Sequence, residues 1–119
     1  MKGILVIAHG SRAKETEGSL EFILAMVKKK RPSTVTEYAF MEFSDRTVER
    51  GIAALVDKGV KDIKVIPYFL FKGVHLKEDI PEMIAECATN FPGITITMGE
   101  HLGVDERLAD IIVDRIGAD

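Results

Sequence analysis

The sequence has little cysteine, no excess of basic residues and none of the common nucleotide-binding motifs, and each absence excludes a class of protein. Its single cysteine, Cys87, excludes an internal disulfide and a cluster of thiolate ligands, and its helical surroundings predict a small core residue. The net charge of −3 predicts no broad nucleic-acid interface. The P-loop, GxGxxG, HExxH and CxxC motifs are absent, so nucleotide, dinucleotide, zincin and thioredoxin functions have no support.

Long hydrophobic runs are also missing. No segment approaches the length needed to span a bilayer, and residues 9–12 interrupt the apolar N-terminus too early for a secretory signal. We therefore expect a cytoplasmic protein in which residues 1–119 form one domain. The dense basic run at 28–31 ends a predicted helix, where cations complement the dipole; a patch that steers an anionic ligand is the alternative.

What the sequence does contain is an alternation of strand and helix patterns. Apolar or β-branched runs predict four strands, at 4–8, 34–40, 63–66 and 94–98. Helical spacing of apolar residues predicts four helices, at 14–30, from an N-cap at Ser44 or Asp45 to 58–59, from 76 to about 90, and at 105–116. The order βαβαβαβα with short connections predicts an α/β fold: a small parallel sheet with helices on both faces.

Four residues with functional side chains follow the four predicted strands. They are His9, Glu42, His75 and His101, and they include all three histidines of the chain. Because parallel strands end at the same edge, these side chains are predicted to meet there, where open α/β sheets bind ligands. Two neutral imidazoles and a carboxylate suit a divalent first-row metal. The alternative is that the histidines cap helices and bond loop carbonyls.

The tip of the first strand is also similar to the Arg-His-Gly motif of histidine phosphatases. Ala8 stands where that motif has its phosphate-binding arginine, which counts against a hydrolase that uses His9 as nucleophile.

Two longer motifs carry a more specific resemblance. Residues 8–12 (Ala-His-Gly-Ser-Arg) and 67–75 (Pro-Tyr-Phe-Leu-Phe-Lys-Gly-Val-His), followed by Asp-Ile-Pro at 79–81, resemble the short-form class II tetrapyrrole chelatases. These are the sirohydrochlorin cobalt-, nickel- and ferrochelatases. The resemblance covers nearly the whole chain, including 40–42 and 102–103. It implies a chelatase-like, flavodoxin-like half-domain.

The resemblance implies a metal site made by His9 and His75, which would bind the metal and take part in its insertion, with Glu42 completing the set. Metal insertion requires the ion to lose water while two pyrrole N–H protons leave. Imidazole, with an unperturbed pKa of about 6.5, can act as ligand or base. Glu42 can ligate, accept a proton or orient a histidine, and the sequence does not choose among these roles.

The implied substrate, sirohydrochlorin, is a flat macrocycle that carries eight carboxylates. The residues predicted to bind it are Ser11, Arg12 and Lys72, with Arg46 and Lys77 less securely placed, and the aromatic residues Tyr68, Phe69 and Phe71. The alternatives are solvated charges for the cations, Arg12 excepted, and core or interface positions for the aromatic residues.

The resemblance further implies a homodimer, because long members of the family carry two such halves and this chain supplies one; the loop at 69–74 is the predicted interface. It implies a lyase, a sirohydrochlorin chelatase, and the absence of a nucleotide-binding motif predicts that the reaction is ATP-independent. Cobalt, for cobalamin biosynthesis, is the first choice, with nickel or iron next. His101 departs from the pattern of the family. It is interpreted either as an extra ligand at the edge or as an exposed loop residue. A non-catalytic carrier of metal or tetrapyrrole is the alternative function.

Overall fold

The computed structural model describes residues 2–118, with the side chain of His75 outside the description, and it confirms the predicted α/β alternation. The strands are β1 (Lys2–Ala8), β2 (Val35–Phe40), β3 (Asp62–Pro67) and β4 (Thr95–Met98). The helices are α1 (Glu15–Lys30), α2 (Val48–Asp57), α3 (Ile80–Ala88) and α4 (Glu106–Ile116). A π-helical turn, His75–Asp79, leads directly into α3.

The four strands form one parallel sheet in the order β2-β1-β3-β4. β1 lies in the middle, paired along its length with β2 on one side and β3 on the other. Pairing with β3 ends at Pro67, as predicted, and one further bond runs from the Tyr68 N–H to the Ile7 carbonyl at 2.8 Å. The carboxyl ends of all four strands therefore share one edge.

The two faces of the sheet are covered unequally. One face packs against α2 and α3 in a dry core that includes Leu5, Ile52 and Ile80, all with 0% exposure. The other face packs against α1 alone, through Leu20 and Leu24. This arrangement follows from right-handed crossovers, because the chain reverses direction across the sheet after β2.

The start of α2 differs from the prediction. Ser44 and Asp45 do not cap the helix; Thr47 does, its hydroxyl accepting a hydrogen bond from the Arg50 N–H at 3.2 Å. The Ser44 hydroxyl instead accepts from the Arg46 N–H at 3.0 Å, in a turn that follows a residue with positive φ. Local side-chain bonding in this turn delays the helix.

The segment after β3 also differs from the sequence prediction. Its apolar residues continue the sequence pattern of a strand, but the chain leaves the sheet at residue 68. Leu70 and Phe71 are 52% and 82% exposed. Proline at the end of β3 supplies no N–H for further pairing, which explains the departure.

Helix α4 contributes little to the core. None of its residues is buried, and the described chain extends over 55 × 32 × 27 Å. The radius of gyration of the described chain is 15.1 Å, which is larger than the value of about 13.5 Å for a compact chain of this length. Within the described residues, no helix is both long and apolar enough to cross a membrane.

Candidate functional site

The ends of β1 and β2 place His9 and Glu42 side by side. The Met41 N–H donates to the Ala8 carbonyl at 3.0 Å, and the Glu42 N–H donates to the His9 carbonyl at 3.2 Å. This ladder continues the strand pairing for two residues beyond the sheet. Nε2 of His9 lies 3.7 Å from Oε1 of Glu42, and the two side chains are 46% and 48% exposed. Both groups are thus accessible to a ligand.

Gly10 allows this close approach of the two strand ends. Its φ is +108°, and a Cβ atom at this position would overlap the Glu42 carbonyl oxygen. Only glycine fits both the backbone conformation and the space. The glycine of the first motif is therefore a structural requirement for the pairing of His9 with Glu42.

His9 and Glu42 line a cleft of about 340 Å³ whose wall is acidic. The other lining residues are Met41, Asp79, Glu82, Met83 and Glu86. Asp79, Glu82 and Glu86 were not predicted as site residues, although their spacing of three and then four residues places them on one helical face. That spacing is the signal that could have found them. Four carboxylates here create a local field that attracts cations.

The predicted three-residue metal set is only partly described. No group of three or more His, Cys, Asp or Glu side chains among those described is arranged to hold a metal ion. The predicted ligand role of His75 falls on a side chain outside the described residues. The structure brings together His9 and Glu42, and His75 stays a prediction.

A second cleft, of about 500 Å³, lies next to the first and contains Ser11 and Arg12. The Arg12 guanidinium carbon lies 4.9 Å from the centre of the Phe43 ring, a cation–π contact. Phe43 has φ 61°, which is unusual for a bulky residue, and its side chain is 53% exposed. Sequence reasoning missed Phe43, and nothing in the local pattern signals its backbone conformation.

The other predicted residues lie elsewhere on the edge. His101, Lys72 and Lys77 line a third cleft, of about 420 Å³, separate from the one that contains His9. His101 is half-buried and packs on Gly103. The structure does not bring the third histidine to His9, so His101 is neither in that cleft nor a fully exposed loop residue.

The three predicted aromatic residues, Tyr68, Phe69 and Phe71, also lie in different surroundings. Phe69 is partly buried against the core, and its ring meets the His9 ring edge-on with centroids 6.2 Å apart. Tyr68 is 38% exposed in a groove beside α1, whereas Phe71 is almost fully exposed.

Arg46 lines neither the cleft of His9 nor the cleft of Arg12. Its guanidinium donates to Glu37 at 2.8 Å and lies 3.9 Å from the centre of the Tyr38 ring. Burial, followed by the hydrogen bond to Glu17 at 2.9 Å, raises the pKa of Tyr38 well above its usual value. Burial likewise raises the pKa of Cys87, which lies in the core as predicted.

The comparisons with known proteins agree on one family. The CbiX family model matches residues 3–118. A sirohydrochlorin ferrochelatase of Priestia megaterium is 35% identical over 98% of this chain and 44% of its own length. A sirohydrochlorin cobaltochelatase of Methanococcoides burtonii is 39% identical over 95% of this chain and 92% of its own length.

A solved structure agrees with the fold. The sirohydrochlorin chelatase SirB from Bacillus subtilis subspecies spizizenii, in complex with cobalt, superposes with a TM-score of 0.87 at 35% identity, over 97% of this chain and 49% of SirB. This chain spans about half the length of the ferrochelatases that it matches.

Proposed function

The chain belongs to the CbiX family, and from that premise we propose that it is an ATP-independent chelatase that inserts a divalent metal ion into sirohydrochlorin. The observation that carries the proposal is the pair His9 and Glu42, 3.7 Å apart in an acidic cleft at the end of β1. An accessible imidazole beside a carboxylate is able to hold a metal ion loosely and to accept protons.

In the proposed reaction, the metal ion exchanges its water ligands for the four ring nitrogens while two pyrrole N–H protons leave. His9 and His75 bind the incoming ion, and an imidazole that releases the ion is free to take up a proton. Glu42 ligates the ion, accepts a proton or orients His9, all of which its distance from Nε2 permits. The carboxylates of α3 concentrate cations at the same cleft.

The substrate carboxylates are proposed to bind at Ser11, Arg12 and Lys72, with Tyr68 and Phe71 against the macrocycle. Support comes from the exposure of Arg12 and Phe71 at the carboxyl edge of the sheet. The clefts that contain Arg12 and Lys72 have different lining residues from the acidic cleft.

Cobalt stays our first choice of metal, followed by nickel and iron, because all three ions accept imidazole and carboxylate ligands. Relatives named for cobalt and for iron both match the chain. The cytoplasm stays the predicted compartment, on the sequence grounds given above.

We also propose that the chain works as a homodimer with the 69–74 loop at its interface. The support is the exposure of apolar side chains in that loop, 52% for Leu70, 82% for Phe71 and 67% for Val74. Exposed apolar side chains grouped in one loop are typical of a contact surface.

The test is the change in the absorption spectrum of sirohydrochlorin with Co²⁺, Ni²⁺ or Fe²⁺, measured against the spontaneous rate. We expect the wild type to accelerate metallation, and His9→Ala and His75→Ala to reduce the rate to the spontaneous level. His101→Ala is the comparison variant, since this histidine lies in a different cleft; it should still accelerate metallation above the spontaneous rate.

Two results would contradict the proposal. Binding of metal and tetrapyrrole without acceleration for any ion would identify a carrier instead. Retention of the wild-type rate by His9→Ala would show that the cleft at β1 is not the reaction site.

A further inference from the structure

Phe43 has a backbone conformation that bulky residues rarely adopt. Within residues 2–118 it is the only non-glycine residue with a positive φ, 61°. This conformation costs free energy for any residue with a Cβ, and it persists only where the surrounding structure imposes it. Strained residues of this kind are concentrated at ligand-binding sites, so the surroundings of Phe43 indicate a role for it.

The turn that contains Phe43 is fixed on both sides. Before it, the Glu42 N–H donates to the His9 carbonyl at 3.2 Å. After it, the Arg46 carbonyl accepts a hydrogen bond from the Phe40 N–H at 2.8 Å. These bonds fix the two ends of the turn, and the positive φ of Phe43 is imposed between them.

The ring of Phe43 contributes little to the folded core. Its side chain is 53% exposed, and it belongs to neither of the two core clusters. The ring lies instead against the guanidinium of Arg12, whose central carbon is 4.9 Å from the ring centre. A strained residue with an exposed ring lowers stability without adding to the core, which favours a role in binding.

Arg12 is exposed and keeps its hydrogen-bond donors for a ligand. Among the described residues, no carboxylate forms an ion pair with it. A guanidinium that lies over an aromatic face still presents N–H donors to a carboxylate, because the ring interacts with its charge and not with a particular N–H. The ring therefore restricts the orientations of a long side chain and leaves its donors available.

We propose that Phe43 is a positioning residue for substrate binding, whose ring holds the Arg12 guanidinium in the second cleft in an orientation that suits a carboxylate of the tetrapyrrole. Both residues line this cleft of about 500 Å³, together with Ser11. Ordering the side chain before the substrate arrives reduces the entropy lost on binding. The proposal rests on the proposed function, in which Arg12 binds a substrate carboxylate.

Glu42 and Phe43 are consecutive, but they line different clefts. Glu42 lies beside His9 in the acidic cleft, and Phe43 lies beside Arg12 in the second cleft. One turn therefore supplies a carboxylate to the proposed metal site and an aromatic ring to the proposed tetrapyrrole site. The effect of Phe43 is expected in the second cleft alone, so metal binding serves as an internal comparison.

The first test is whether the ring and the guanidinium meet in solution without substrate. Side-chain protons of Arg12 that lie over the ring should have NMR resonances shifted upfield by its ring current. Phe43→Leu should remove this shift, and Phe43→Tyr should keep it. Phe22→Leu, a change in an exposed phenylalanine of α1, is the matched control and should leave it unchanged. An unshifted Arg12 in the wild type would overturn the proposal.

The second test is the equilibrium dissociation constant (Kd) of metal-free sirohydrochlorin, followed by the change in its absorption. We expect Phe43→Leu to raise the Kd about threefold, the effect of losing a cation–π contact of about 0.7 kcal/mol. Phe43→Tyr keeps the aromatic face and should restore the wild-type Kd. The KM for the metal should not change in either variant, and Phe22→Leu should bind as the wild type does.

The Arg12→Gln background separates positioning from direct contact of the ring with the macrocycle. In this background Phe43→Leu should cause no further rise in the Kd, because the ring then has no guanidinium to hold. A further threefold rise would show that the ring binds the macrocycle itself, and it would overturn the positioning role.

Phe43→Gly tests whether the ring serves folding instead. Glycine adopts a φ of 61° without strain, and this relief offsets its greater freedom in the unfolded chain. We therefore expect a urea midpoint close to that of the wild type, with a Kd for sirohydrochlorin raised as in Phe43→Leu. A marked fall in the midpoint would assign the ring to stability and overturn the proposal.

Failure of this proposal and failure of the proposed function give different results. Binding of sirohydrochlorin that depends on Phe43, without acceleration of metallation, would refute the chelatase and support the positioning role. Acceleration of metallation with the same Kd for the wild type and Phe43→Leu would overturn the positioning role alone. No binding of sirohydrochlorin by the wild type would overturn both.

Discussion

The two clefts on either side of the His9–Ser11 segment differ in charge: one is acidic, and the other has charges of both signs. The cleft of His9 is lined by four carboxylates, with no Lys or Arg among its described lining residues. The neighbouring cleft contains Arg12 and Lys14 beside Glu17 and Glu21. Residues 9–11 thus lie between a surface that attracts cations and a surface where the guanidinium of Arg12 can bind anions. In the proposed reaction, metal and macrocycle carboxylates are recognised on different sides of one strand end.

The largest effect is expected from Gly10→Ala, which would disturb the boundary between the two clefts. The new Cβ would overlap the Glu42 carbonyl and force a positive φ on alanine, so we expect the free energy of unfolding to fall by about 2–4 kcal/mol. Urea denaturation measures this change. The control is Gly18→Ala in α1, where a Cβ meets nothing within 4 Å; it should raise stability by about 1 kcal/mol. Equal stability of Gly10→Ala and the wild type would refute the steric argument.

The next effect concerns Arg12, which distinguishes the second cleft. If Arg12 binds a substrate carboxylate, Arg12→Gln should raise the KM for sirohydrochlorin roughly tenfold and leave the KM for the metal unchanged, since a charged hydrogen bond contributes about 1.5 kcal/mol. Lys29→Gln, an exposed change of the same charge at the end of α1, is the matched control. A rise in the metal KM instead would show that the two clefts do not divide the substrates.

A smaller effect is expected from the acidic wall. Glu82→Gln together with Glu86→Gln removes two exposed carboxylates from the first cleft, and we expect the KM for the metal to rise roughly threefold, with the difference decreasing as salt is added. Asp57→Asn together with Asp110→Asn removes two exposed carboxylates, on α2 and α4, and controls for net charge. No change in the metal KM at low salt would mean that the wall does not concentrate the ion.

The last effect is a pH dependence of stability at Tyr38, whose hydroxyl donates to Glu17 in the wall of the second cleft. Because the folded protein raises the pKa of Tyr38 above its unfolded value, this stabilisation is complete below about pH 10 and decreases as pH rises toward the folded pKa. Between pH 10 and 11 the loss should be about 1 kcal/mol. Urea denaturation of Tyr38→Phe should show a weaker alkaline loss than the wild type; an identical loss would exclude Tyr38 as its source.

The fold was predictable because its signals are local. Continuous apolar runs such as Leu5–Ala8 and the helical spacing of Ile52 and Leu55 each lie within one element, and the right-handed crossover rule supplies the rest. The start of α2 was missed because Ser44 and Thr47 are both good caps, and the positive φ of Phe43 decides between them.

The site was less predictable because it depends on distances across the edge. Strand order brings His9 next to Glu42, since β1 and β2 are neighbours, but β4 is the outer strand and His101 follows it into another cleft. A shared edge predicts proximity only for adjacent strands. The acidic residues Glu82 and Glu86 belong to α3, and they enter the cleft through helix packing, which strand-end reasoning does not consider.

Phe69 connects three parts of the molecule that are distant in sequence. It follows the last paired residues of β3, its ring meets His9, and its carbonyl accepts the N–H groups of Leu102 and Gly103 at the root of α4. The ring that borders His9 and the carbonyl that anchors the segment before α4 thus belong to one residue. A shift of the backbone at Phe69 would change both contacts together.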